Sequence, residues 1–343
     1  MVVSEDFRAS IRTKWGPGMG SDLTRSEFLK LMGITAAGVA LLPGEQILQG
    51  LLAPDDAEAA VASRFPALSV ATGHSLNASH IAAITRAALN NLGGMGRFVH
   101  KGDVVVVKPN IYGARVPANA CTTNPTVVAT VIRECFKAGA KKVKVLDYPC
   151  GGSGAQSYQM SGIGPAAKSA GATVLQMSTS SFKSYAIPRG KRIRQLHVYP
   201  DFVTADVLID LPIAKNHGGE QISMACKNLM GCTSHDGRIG VNSMHQAGTG
   251  QAIPDLVSFL KPDLCVMDAI RVRVSGGPGG TDPGGIRLKY TVVAGADPIA
   301  IDAYGAKNFL GMNPRNVAQL INGSKMGLGQ IDLSKVSVQK ASL

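Results

Sequence analysis

Aromatic residues are scarce in this chain of 343 residues, at 5% with a single Trp. The basic runs, Lys141-Lys142-Lys144 and residues 189–194, therefore carry no interleaved aromatics on which bases could stack, and no recognised nucleic-acid motif is present. No specific nucleic-acid partner is expected. Long apolar runs are missing too: none reaches the roughly 18 residues that an ordinary membrane-spanning helix needs. The six cysteines, at positions 121, 135, 150, 226, 232 and 265, contain no C-x-x-C pair, which removes the usual frameworks of iron–sulfur clusters and zinc ribbons. Cys135 and Cys265 lie in apolar runs and read as buried thiols. The loop from Asp147 to Gly154 is glycine-rich, but it has neither the Gly-Lys-Ser/Thr ending of a P-loop nor G-x-G-x-x-G spacing. A nucleotide site is not expected there.

What the chain does have is glycine, at 40 residues, and positive charge, at a formal +12. The charge is unevenly placed. Residues 1–62 hold 5 Lys/Arg and 8 Asp/Glu, which leaves 30 Lys/Arg against 15 Asp/Glu in residues 63–343. A basic body of that kind favours anionic partners (carboxylates, phosphates, nucleic acid or anionic lipid), with solubility alone as the competing explanation.

The first 62 residues read as a signal-like leader and linker, and residues 63–343 as the folded domain. Residues 24–42 place a basic stretch before the apolar run Leu31–Leu42, which matches a signal h-region and is too short to span a bilayer. Two Ala-x-Ala sites follow, at 57–59 and 60–62. The heptapeptide Thr24–Lys30 resembles the twin-arginine export motif except that Ser26 stands in place of the second Arg. Export to the periplasm or another extracytoplasmic space is expected. The alternative is a cytoplasmic protein with an amphipathic N-terminal helix.

From about residue 70 apolar runs alternate with helical patterns. Val104–Lys108 is a continuous apolar run, as in a strand buried on both faces. A helix is predicted from Pro125 to Ala138, with Asn124 as N-cap and Gly139 as its stop, and then a strand over Val143–Asp147. That is a βαβ unit, and a parallel sheet is its natural product. Further strands are predicted at Val174–Gln176, Asp206–Asp210, Leu264–Asp268 and Tyr290–Val293. Helices are predicted at Ile253–Leu260, Asp297–Leu310 and Asn313–Asn322. The fold class is α/β, a mostly parallel sheet with helices on both faces, in which ligands bind at the carboxyl ends of the strands.

Residues 211–246 hold two Lys-Asn pairs, three His and two Cys. Buried Lys, Asn and His must find partners or shift their pKa values, a cost that folds usually accept at a site. Lys215 and Lys227 are candidates to hold an anion or act as bases, and His217 and His245 to act as acid/base groups or metal ligands. Cys226, Cys232 and His235 do not have a standard zinc spacing. Lys108 and Asn110, with Thr122 and Thr123 before the predicted helix at 125, form a candidate anion site, with N-capping as the bland reading. Asp147 and Asp268, at strand ends, are candidates to orient a Lys or His. The Gly-rich stretch 275–285 is either a lid or a long surface loop.

These residues bear a resemblance to the DUF362 family, an uncharacterised group. Its hallmarks appear in order over roughly residues 100–312. They are Lys108-Pro109-Asn110, Thr122-Thr123-Asn124-Pro125, Ala138-Gly139-Ala140, Lys215-Asn216-His217, Lys227-Asn228 with Gly231, His245 ahead of Asp255-Leu256, Asp268, and Asp297-Pro298 with Asp302-Ala303. The first βαβ unit is also faintly similar to the N-terminal half of the lactate racemase family, where a Thr-Arg-Pro start stands in place of Thr123-Asn124-Pro125. The resemblance implies the fold and a shared site, and no particular reaction.

The resulting expectation is an exported protein that binds a small anion. Lys215, His217, Lys227 and His245 carry acid–base chemistry, and Lys108, Asn110, Thr122, Thr123, Asp147, Asn228 and Asp268 hold the substrate or the catalytic groups. A non-catalytic ligand- or cofactor-binding accessory protein, for instance in electron transfer, is the alternative, with a metal at His217 or His245 as its marker. Sequence names neither the cofactor nor the oligomeric state.

Overall fold

The computed structural model describes residues 67–150, 154–235 and 239–343, together with the backbone of a two-residue antiparallel ladder, Ile34–Thr35 with Gly38–Val39. The twin-arginine-like heptapeptide and the Ala-x-Ala sites lie outside the described residues.

In chain order the strands are β1 (Leu68–Thr72), β2 (Val104–Pro109), β3 (Lys142–Val145), β4 (Thr173–Val174), β5 (Lys183–Ala186), β6 (Gln195–Val198), β7 (Val207–Leu211), β8 (Ile213–His217), β9 (Gln221–Ser223), β10 (Leu264–Arg273), β11 (Ile286–Gly295) and β12 (Val338–Ser342). The helices are α1 (Ala78–Asn91), α2 (Pro125–Lys137), α3 (Gly154–Met160), α4 (Ile163–Ser169), α5 (Asp201–Thr204), α6 (Ala225–Asn228), α7 (Val241–Ala247), α8 (Thr249–Leu260), α9 (Pro298–Leu310) and α10 (Ala318–Lys325).

The main sheet runs in the order β12-β1-β11-β10-β7-β2-β3-β4. Every neighbouring pair is parallel except the two that involve β11, so β11 alone opposes the rest of this path. This is the mostly parallel α/β sheet that the βαβ pattern implies. Side chains alternate between two apolar layers, as the two-residue period of a strand requires. Val105 and Val107 of β2 pack with α1, α2 and α4, while Val106 packs in the opposite layer with α8 and α9.

The predicted helices fall at α2, α8, α9 and α10, with shifted ends. Helix α8 begins at Thr249, although Pro254 lies inside it. Proline removes one N–H and orphans the carbonyl four residues back. Here that carbonyl belongs to Gly250, and the Asn322 side-chain amide of α10 donates to it at 2.9 Å, so the helix continues through the proline.

One break in the sheet places the site. Pro212 separates β7 from β8 and has no N–H for a ladder. Strand β7 pairs with β2 as far as Leu211 opposite Pro109. Beyond Pro212 the chain leaves β2 and continues as β8 against β10, with a register shift between Ile213 and Lys215. A cleft opens where β2 and β8 part, at the carboxyl ends of the parallel strands.

Candidate functional site

Strand β8 turns through residues 218–220 into β9, and Lys215 lies opposite Ser223 and His217 opposite Gln221. Two-residue alternation puts Lys215 and His217 on one face of this hairpin and Asn216 on the other. Asn216 accepts a hydrogen bond from the Gly277 backbone N–H at 2.9 Å, which ties the glycine-rich loop to the hairpin. The same loop is anchored by Arg273, whose fully buried guanidinium donates to the carbonyls of Asn119, Ser275 and Asp282. Helix α6 supplies Lys227 and Asn228. The Asp302 carboxylate, reaching from α9, accepts from the Ala225 N–H at 2.7 Å and the Cys226 N–H at 3.0 Å and so fixes where α6 starts. Helix α7 brings His245.

Lys215, His217, Lys227 and His245 line one cavity of about 220 Å3, together with Lys108, Asn110, Asp147 and Asn228. Tyr112, Cys150 and His235, which sequence reading missed or set aside, line it as well. Thr122, Thr123 and Asp268 do not. The Thr123 hydroxyl donates to the Leu211 carbonyl and accepts from the Asn110 N–H, which ties β2 to the end of β7. Thr122 is buried with no hydrogen-bond partner for its hydroxyl among the described residues. Asp268 accepts from the backbone N–H groups of Asn124 and Ile270, and burial pushes its carboxyl up to about 6. The N-terminus of α2 is thus filled from within: Asp268 takes the Asn124 N–H, and the Asn124 side chain takes that of Thr126.

Beneath the cavity lies a buried polar network. Lys108 Nζ sits 2.7 Å from Asp147 Oδ1 and also donates to Asn228 Oδ1 at 2.9 Å and to the Pro109 carbonyl at 3.0 Å. Burial opposes the charge on Lys108, but Asp147 and Asp210 outweigh it and hold the lysine above its ordinary value. Burial drives Asp210 well above the carboxylate range, against the pull of Lys108. Hydrogen bonds then run in one direction through the network. Lys215 Nζ donates to Asn110 Oδ1 at 2.8 Å, Asn110 Nδ2 to Asn228 Oδ1 at 2.8 Å, and Asn228 Nδ2 to Asp210 Oδ1 at 2.7 Å.

Lys215 is in a different state from Lys108. It is equally buried and, among the described residues, has no carboxylate at hydrogen-bonding distance. Burial lowers its pKa to about 8, with the Lys227 charge adding to the effect. Its Nζ lies 5.2 Å from the centre of the Tyr112 ring.

Glu220, the hairpin's only acid, is a hub that sequence reading missed. It contacts His217 Nδ1 through Oε2, and lies 3.3 Å from His245 Nδ1 and 3.8 Å from Lys227 Nζ. Burial works against its charge, but His217, Lys227 and His245 prevail and hold its carboxyl at about 2. Burial and the Lys227 charge lower His245, and burial lowers Lys227. Because each histidine turns Nδ1 toward Glu220, its Nε2 is the nitrogen left for a ligand. A sequence signal for Glu220 existed: it follows His217 by three residues, and only Asp236 is also acidic within 211–246. No cluster of three or more His, Cys, Asp or Glu side chains arranged to hold a metal occurs among the described residues.

Fold and site together define a mostly parallel α/β protein with a Lys- and His-lined cavity at the carboxyl ends of its strands. The sequence pattern of the family described as a domain of unknown function (DUF362) matches residues 105–307, and the chain belongs to that family. A relative, a thylakoid-associated protein of Synechocystis sp., is 28% identical over 264 residues, which cover 72% of this chain and 80% of that protein. Among solved structures, the lactate racemase apoprotein from Thermoanaerobacterium thermosaccharolyticum matches at 11% identity and a TM-score of 0.37. The match covers 68% of this chain and 55% of that one. No described helix is long and apolar enough to cross a membrane.

Proposed function

We propose that this protein binds a small carboxylate and moves a proton at the carbon beside it. The observation that carries the reading is the convergence of Lys215, Lys227, His217 and His245 on one cavity of about 220 Å3. That volume lies below the ~300–1,000 Å3 typical of sites for drug-sized ligands, so the ligand is small. Charge favours an anion. Lys108 is matched by Asp147, whereas among the described residues Glu220 is the one carboxylate at hand for Lys227 and both histidines. Lys227 holds the carboxylate. Lys215, with a pKa of about 8, takes or gives the proton at near-neutral pH, and the Nε2 atoms of His217 and His245 complete the transfer. Groups with pKa values near the working pH are the most effective proton carriers.

The test is a thermal-shift titration with short-chain carboxylates. The wild type is expected to gain stability with ligand, and Lys227→Ala is expected to keep its fold and lose that gain. An unchanged shift in the variant would sink the assignment.

Export is the second part of the proposal. It is supported by the basic-then-apolar run of residues 24–42 and by the relative named as thylakoid-associated. N-terminal sequencing of protein from native cells should begin shortly after one of the Ala-x-Ala sites at 57–62, in an extracytoplasmic fraction. An intact Met1 in the cytosol contradicts export.

A further inference from the structure

We infer that Lys215 is a covalent site: its amine forms an imine with a small 2-oxo acid whose carboxylate is held by Lys227. The inference rests on the proposed carboxylate site and names its substrate class and its nucleophile; once Lys215 is in the imine, the proton transfer falls to His217 and His245. The geometry that carries it is the contrast between two buried lysines. Lys108 is ion-paired with Asp147 at 2.7 Å and donates to Asn228 Oδ1 and the Pro109 carbonyl, so its charge has a counter-ion. Lys215 donates to Asn110 Oδ1 and the Cys121 carbonyl, both at 2.8 Å. Unlike Lys108, it has no carboxylate within ion-pair distance among the described residues, so burial favours the neutral amine with its lone pair free to react. Lys215 lines the cavity, as do Tyr112, Lys227 and both histidines. A lysine deprived of water and set near a second cation is the arrangement that activates an amine toward carbonyls, and its titration near pH 8 agrees with that role.

The step balances without an oxidant or reductant. The Nζ lone pair attacks the ketone or aldehyde carbon, a C–N bond forms, and the carbonyl π electrons move to oxygen. That oxygen leaves as water, taking both amine protons with it. In its protonated form the imine carries one N–H, for which Asn110 Oδ1 or the Cys121 carbonyl is the acceptor.

The probe is glyoxylate with sodium cyanoborohydride at pH 8 on the intact protein, followed by peptide mass spectrometry. One reduced adduct per chain is expected, on the peptide containing Lys215. It should be absent from Lys215→Met, and in Lys227→Met it should need roughly tenfold more glyoxylate, the equivalent of one charge-assisted hydrogen bond. Adducts scattered over surface lysines with Lys215 unmodified would overturn the inference. Propionate, which has no carbonyl beside its carboxylate, separates the two ideas. A propionate thermal shift without a Lys215 adduct overturns the imine and leaves the anion site standing, whereas loss of both overturns both.

Discussion

Lys108 and Lys215 are each 1% exposed, and they do opposite things. A carboxylate partner makes one a fixed cation, and the lack of one among the described residues lets burial lower the other to about 8. The folded pKa of Lys215 lies below its ordinary 10.5, so between about pH 8 and 10.5 the unfolded chain binds the extra proton. In that window stability rises with pH. Relative to Lys215→Met, the wild type should therefore gain roughly 3 kcal/mol between pH 7 and pH 10.5, measured as the difference in urea unfolding between the two proteins. A flat difference would mean that Lys215 is not held in this state. Glu220 has the opposite sign. Its folded pKa of about 2 lies below the ordinary 4.5, so it stabilises the fold above pH 4.5, and that contribution is lost as pH falls toward 2. Glu220→Gln removes the charge that supports His245, and the imidazole titration of His245, followed by NMR, should move to lower pH. The Lys and His residues were legible in the sequence because they crowd an otherwise apolar stretch. Their states were not, since the partners that surround Lys215, Asn110 and the Cys121 carbonyl, lie about a hundred residues away.

At the level of elements, the strands and helices read from apolar runs and capping residues were found with ends shifted by a few residues. Three of the strands missed have physical reasons. Strand β8, Ile-Ala-Lys-Asn-His, breaks strand patterning because it carries site residues. Strand β12 is an exposed edge of mostly polar and small residues, and β1 mixes Ser, Ala and Thr within five residues. The 3₁₀ turn Leu229–Cys232 depends on Gly231. A Cβ there would lie 2.1 Å from Asp147 Oδ1 and 2.8 Å from Lys108 Nζ, so only glycine lets the turn close over the ion pair. Gly231→Ala should cost about 1–3 kcal/mol of stability, as overpacking does, and calorimetry will show whether it does. Asp302→Ala should be comparably damaging, because it leaves the Ala225 and Cys226 N–H groups buried without an acceptor, at about 1–3 kcal/mol for each group.

At the scale of the molecule, a parallel sheet parts at Pro212 and the gap is filled with polar groups instead of core. The chain order of the sheet could not be read from the sequence, because β10 and β11 are long enough to join three segments far apart in the chain. The thiols give a global check. All six cysteines are free, and only Cys150 is exposed. Ellman's reagent should count one thiol in the native protein and six after unfolding. Fewer than six under non-reducing conditions would indicate a disulfide. The central claim is that Lys215 is a titrating amine facing an anion site, and lysine NMR with 13Cε labelling tests it most directly. The account predicts one resonance titrating near pH 8, absent from Lys215→Met, whose midpoint rises when a short-chain carboxylate is added. A Lys215 resonance that titrates with the bulk lysines near 10.5 and ignores the carboxylate would contradict it.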